Sequence, residues 1–168
     1  MTRIFYFLAL FTILISLHSC EKSNYIPADR TTLHQDRDDE KILHITKLAR
    51  DTLPDFFRHM LRPAKDESNF MVKYPFKADA DSGFSMEQLW LRNIQFKDGV
   101  YYGVVANMPF YIESIKKGDT ISFSMEDISD WMYTSGKKIV GGYSIKYLLE
   151  QIPEHSKEQK LILEMLPD

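Results

Sequence analysis

"MEQLWLRNIQFKDGVYYGVVA", residues 86–106, decides the fold class. Its first part alternates, and places Met86, Gln88, Trp90, Arg92, Ile94 and Phe96 on one face of an extended chain. Lys97-Asp98-Gly99 then supplies the Asp-Gly signal of a tight hairpin turn. Residues 100–106 return as a second strand rich in valine and tyrosine. A hairpin is marginal alone in water, so this pair needs more strands, or a helix, over its apolar face.

The flanking sequence supplies both. "FMVKYPF" (70–76) reads as a strand and "KADADSGFS" (77–85) as a loop. Downstream, Asn107 and Pro109 open a connection carrying Ile112 and Ile115, and Lys116-Lys117-Gly118-Asp119 turns into "TISFS" (120–124). "DISDWMY" (127–133), Thr134-Ser135-Gly136 and "KKIVGG" (137–142) form a further hairpin. Ser144 is placed to cap a helix "IKYLLEQI" that Pro153 ends, and Leu161, Ile162 and Met165 would extend the tail helically.

Before the strands, Ile42, Ile45, Leu48, Ala49 and Thr52 recur at helical spacing behind the acidic Asp38, Asp39 and Glu40. Pro54 kinks or restarts that helix, Phe56, Phe57, Met60 and Leu61 continue it, and Pro63 stops it. The expected fold is α+β: an N-terminal helix or kinked helix pair, about five antiparallel strands in a curled sheet, and a C-terminal helix. A closed SH3-like barrel is the alternative.

Composition agrees with one globular domain. The 168 residues are 44% hydrophobic and 27% charged, with a formal net charge of −3, enough apolar material for a real core. Basic and acidic residues intermix without a basic face, which argues against a nucleic-acid partner. Cys20 is the one cysteine, so no internal disulfide forms.

That cysteine follows a particular N-terminus. Arg3 precedes the uncharged run "IFYFLALFTILISL" (4–17), which has secretory length and is short of the ~20 apolar residues of a spanning helix. Leu17-His18-Ser19-Cys20 then resembles the bacterial lipobox, with His18 at the usual small-residue position. The reading is a lipoprotein signal peptide over 1–19 and a mature chain anchored through acylated Cys20. Residues 20–37, polar and with Pro27, read as a flexible tether to a domain over 38–168. Two or three acyl chains hold a membrane stably, since each buried CH₂ contributes about 0.8 kcal/mol. The resulting location is the bacterial cell envelope, facing the periplasm or the cell surface.

"FMVKYPF", "EQLWL", "GVVANMP", "KKGDTISF", "ISDWMY" and "GGYSIKYL" occur in that order, and with them the chain resembles the YegJ-like family, bacterial domains of unknown function. The resemblance runs from about Leu53 to Leu149. Asp130-Trp131-Met132-Tyr133 and Gly141-Gly142 are its most specific parts. Where a common family form has a histidine after the second-strand glutamate, this chain has Gln88. The resemblance implies a fold module and supplies no activity.

Motifs for chemistry are sparse. His18, His34, His44, His59 and His155 show no metal-ligand spacing, and "DADSG" (79–83) lacks a calcium-loop register, so no metal and no cofactor are expected. There is no G-x-S-x-G elbow and no phosphate loop; "GKKIVGGYS" has glycines without the spacing. One cluster remains: Trp90, Asp130, Trp131, Tyr133, Gly141 and Gly142, with Tyr143 beside it. These residues are either structural or the lining of a shallow binding groove, where glycines admit a ligand and aromatics give stacking area. The expected function is an envelope binding or accessory domain for a protein, peptide or wall component. An envelope hydrolase without a known motif and an immunity-type inhibitor are the alternatives.

Overall fold

The computed structural model describes residues 40–157 together with 159, 160 and 163. The expected signal peptide, Cys20, the tether, and Leu161, Ile162 and Met165 of the tail lie outside the described residues.

Helix α1, Glu40–Leu61, starts on an acidic residue and ends with Arg58 and His59 in its last turn, both favourable to its dipole. It is one helix with Pro54 inside, not a pair. One turn earlier, carbonyls are taken by side chains: Thr52 Oγ1 donates to Leu48 O (2.8 Å), and the Trp131 indole donates to Ala49 O (2.9 Å). Ala49, Leu53 and Phe56 form the buried stripe. Leu48 and Leu61, expected in that stripe, point outward.

Six strands follow: β1 (Glu67–Lys77), β2 (Met86–Lys97), β3 (Val100–Val105), β4 (Thr120–Phe123), β5 (Asp130–Ser135) and β6 (Lys138–Gly141). Helix α2, Tyr143–Gln151, closes the domain. All pairings are antiparallel, in the order β4-β3-β2-β1-β5-β6. The sheet is curled and open rather than a closed barrel. It has six strands against the expected total of about five, since every extended segment read in the sequence pairs: "TISFS" joins β3, and the last two strands add beyond β1. The expected Asp-Gly turn is present, with Asp98 and Gly99 at φ 52° and 82°.

The sheet has two different faces. Phe70, Val72, Tyr74, Leu89, Leu91, Val105, Trp131 and Tyr133 pack with α1 into the main core. The opposite face carries Met71, Trp90, Ala106 and Met132, with α2 packing beside them through Ile145 and Leu148. The helices therefore do not cover one common face. Nor does β2 alternate to its end. Asn93 adopts φ 53° at a register shift between Arg92 and Gln95, so Ile94 moves to the main core instead of staying beside Trp90.

Gly141 fixes how β6 leaves the sheet. Its φ is 75°, and a Cβ there would lie 2.4 Å from Trp131 Cζ3 and 2.5 Å from Trp131 O. Gly142, at φ 61°, follows with its N–H on Trp131 O (2.7 Å). Gly141→Ala meets both a left-handed backbone and an overpacked indole, so it should destabilise by about 3 kcal/mol. Urea unfolding with a loss below about 1 kcal/mol would show that this contact can relax.

Candidate functional site

The register places two candidate side chains, Trp90 and Asp130, in one row with Lys73. Lys73 of β1 stands opposite Trp90 of β2 and opposite Asp130 of β5, all pointing away from α1. Lys73 is 2% exposed, Asp130 1% and Trp90 0%. A buried charge is tolerated only with partners, and this row provides them. The Lys73 ammonium lies 4.6 Å from the Trp90 ring and donates to Ser144 Oγ at 2.7 Å. Ser144 Oγ in turn donates to Asp130 Oδ2 at 2.6 Å, so one hydroxyl joins the two charges.

Asp130 is also the cap of α2. Gly142, the N-cap by position, has no side chain to offer the helix. Asp130 reaches over from β5 instead. Its Oδ2 accepts from Ser144 N (2.7 Å), and its Oδ1 from Tyr143 N (3.2 Å) and Trp131 N (2.7 Å). An anion thus meets the orphan N–H groups and the positive end of the helix dipole. Ser144, expected to be the cap, sits inside the first turn and serves as the bridge. Burial pushes the Lys73 ammonium down to about 8, and the Asp130 carboxylate opposes that. Burial likewise pushes the Asp130 carboxyl up, and Lys73, Ser144 and Trp131 pull it back.

The six residues singled out in the sequence divide between the faces. Asp130 and Trp90 belong to this polar row. Trp131 and Tyr133 are buried under α1, where Trp131 contacts Phe56 (5.5 Å) and Tyr133 stacks on Phe70 (4.9 Å) and His59 (5.3 Å). Gly141 and Gly142 form the corner between them. The described residues therefore show no single groove lined by all six. Gln88, half-buried, accepts the Ser129 hydroxyl at 2.7 Å and steadies the entry to β5.

Sequence reading missed Lys73 and Glu87. Lys73 carried a signal: one lysine inside the apolar "FMVKYPF" has to find a buried partner if the strand is central. Glu87 is fully buried and accepts from the backbone N–H groups of Phe110 (2.8 Å) and Tyr111 (2.9 Å). Asp79 adds two more ties, accepting from Glu113 N through Oδ2 and donating its own N–H to Tyr111 O, each at 2.8 Å. The connection after β3 is thereby held rigidly, yet it presents Met108 and Phe110 at 53% and 62% exposure. Phe84 extends this apolar area through its ring contact with Tyr111 (4.4 Å).

A Ser–Lys pair at 2.7 Å has the composition of a nucleophile and its base. Here the serine is 5% exposed and its proton is committed to Asp130, so no substrate carbonyl reaches it. The site is a structural polar centre beneath a helix, and the chain is an α+β domain organised around it. Residues 39–162 match the family described as "Uncharacterized protein conserved in bacteria (DUF2314)", and the chain belongs to that family. The uncharacterized protein YegJ of Escherichia coli (strain K12) is 38% identical over 95 residues, covering 56% of this chain and 60% of that protein. A putative ankyrin repeat protein of Neisseria meningitidis serogroup B is 30% identical over 136 residues, covering 78% of this chain and 53% of the relative. The chain thus spans little more than half the length of these relatives. No solved structure matches it.

Asp130→Asn keeps one acceptor and turns an amide N–H₂ toward donors, so it should cost about 2–4 kcal/mol and fray α2 first. Hydrogen exchange of the Tyr143–Ile145 amides reads this directly; unchanged protection would separate Asp130 from the cap. Lys73 also sets a pH dependence. Its folded pKa, about 8, lies below the unfolded value of 10.5. Below pH 8 both states hold the proton, and across 8–10.5 the unfolded chain alone does, so this group adds stability as pH rises. The stability of wild type relative to Lys73→Met should therefore increase by more than about 1 kcal/mol between pH 7.5 and 10. A flat difference would mean that Lys73 titrates normally.

Proposed function

We propose that the protein is a lipid-anchored binding domain of the bacterial cell envelope, held by acylated Cys20 and recognising a protein, peptide or wall component through the connection after β3. The observation that carries this reading is the rigid presentation of Met108 and Phe110. A fully buried carboxylate, Glu87, is committed to holding the backbone of Phe110 and Tyr111, in the connection from which Met108 and Phe110 stand exposed. Preorganised apolar surface is a feature of recognition, because little ordering entropy remains to be lost on binding. The buried chemistry supports the same reading: Lys73, Ser144 and Asp130 are spent on the fold and leave binding as the work of the surface. Anchoring rests on the N-terminal run and the Leu17-to-Cys20 box.

A photocrosslinking residue placed at Phe110 in intact cells should give a discrete adduct that Met108→Ser weakens severalfold. The same residue at the exposed Lys65 should give none. Identical adducts at both positions would overturn the recognition surface. Separately, Cys20→Ala should release the protein from the membrane fraction; an unmodified Cys20 thiol on the wild-type chain, by mass spectrometry, would remove the anchor.

A further inference from the structure

The central ladder of the sheet splits. β1 and β2 pair from Lys77↔Met86 only as far as Met71↔Arg92. Beyond that point β1 continues on β5, through Ser68↔Thr134 and Glu67↔Ser135. β2 continues on β3, through Gln95↔Tyr102 to Lys97↔Val100. Both continuing ladders shift register at the point of parting. One residue on each lip is left-handed: Asn69 at φ 54° and Asn93 at φ 53°. Non-glycine residues held there carry backbone strain, and paired bulges re-aim side chains beside sites.

A cavity of about 370 Å³ occupies the split. Its apolar wall is Met60 from the last turns of α1, with Phe70 and Ile94, all packed against the main core. Its polar rim is Arg92 and Asn93, both exposed. Among the described residues neither side chain has a hydrogen-bond or ion-pair partner. Asn69 differs, since its amide already donates to Thr134 Oγ1 at 3.0 Å. Arg92, on the strand face of Met71 and Trp90, and Asn93, at the bulge, line the cavity across the split from its apolar wall. An unpaired guanidinium and an amide facing such a cavity complement an anion with an apolar body, and the planar guanidinium fits a carboxylate best. The volume takes roughly fifteen non-hydrogen atoms.

We infer that the split between β1 and β2 is a binding site for an apolar monocarboxylate, with Arg92 and Asn93 on the carboxylate and Met60, Phe70 and Ile94 around the body. This site lies apart from the Met108–Phe110 surface, so either can fail without the other. The carboxylate belongs either to a free organic acid or to the end of a peptide, and the probes distinguish these.

The full chain in phosphatidylcholine nanodiscs is titrated calorimetrically with 4-phenylbutyrate, with empty nanodiscs as the reference. Saturable binding is expected, about tenfold weaker for Arg92→Gln and severalfold weaker for Asn93→Gly, which keeps the left-handed backbone. 4-Phenylbutan-1-ol should bind at least tenfold less tightly. Both variants should melt as the wild type does, because both side chains are exposed and unpaired. An acetylated dipeptide ending in phenylalanine gives the second arm. Tighter binding than 4-phenylbutyrate assigns the site to peptide ends, and weaker binding assigns it to free acids. No heat beyond the empty nanodiscs, equal binding of the alcohol, or binding untouched by Arg92→Gln would overturn the site.

Discussion

One lysine and one aspartate face each other across β1 and β5 with almost no access to water. Much of the fold answers that constraint. Two buried charges cost several kcal/mol each unless neighbouring dipoles compensate. The compensation is the first turn of α2, whose N–H groups converge on Asp130 while the Ser144 hydroxyl takes the Lys73 proton donor. To bring that turn to the sheet the chain must reverse at the very end of β6, where Gly141 closes the strand and Gly142 caps the helix. Gly141 in turn lets the backbone lie directly on Trp131. The Trp131 indole reaches α1 by donating to Ala49 O. A polar pair on one face is thus linked, through one corner, to the helix on the other.

This chain of dependence explains what could be read in the sequence. Alternation and the Asp-Gly turn revealed the β2–β3 hairpin, and the Gly-Gly pair stood out as one of the special positions of the sequence. These are local signals, complete within a few residues. The cap of α2 was not local. Ser144 had the right residue type but lies two residues past the cap position, which Gly142 holds, and the acceptor came from Asp130 on another strand. Ile94 was assigned to the wrong face because a bulge at Asn93 leaves no firm mark in an alternating pattern. Glu87 drew no reading, since the loop it holds joins it only after the sheet forms. Register and burial are tertiary facts, and they decided each of these cases.

The distribution of polar groups bears on function. Lys73, Ser144 and Asp130 are inside, matched to one another and closed over by α2. At the surface, Met108 and Phe110 stand exposed on a pinned connection, and Arg92 lines a split in the sheet. The family to which the chain belongs is described only as uncharacterized, so any reading of function rests on this arrangement of side chains.

The central claim is that Lys73 and Asp130 stabilise the fold jointly, as one unit with the start of α2. A double-mutant cycle on Lys73→Met and Asp130→Asn, read by urea unfolding at pH 7, tests it most directly. The account predicts that the two losses overlap, with a coupling of about 2 kcal/mol or more. Losses that add to within about 0.5 kcal/mol would contradict it, and would leave the lysine and the aspartate as independent neighbours.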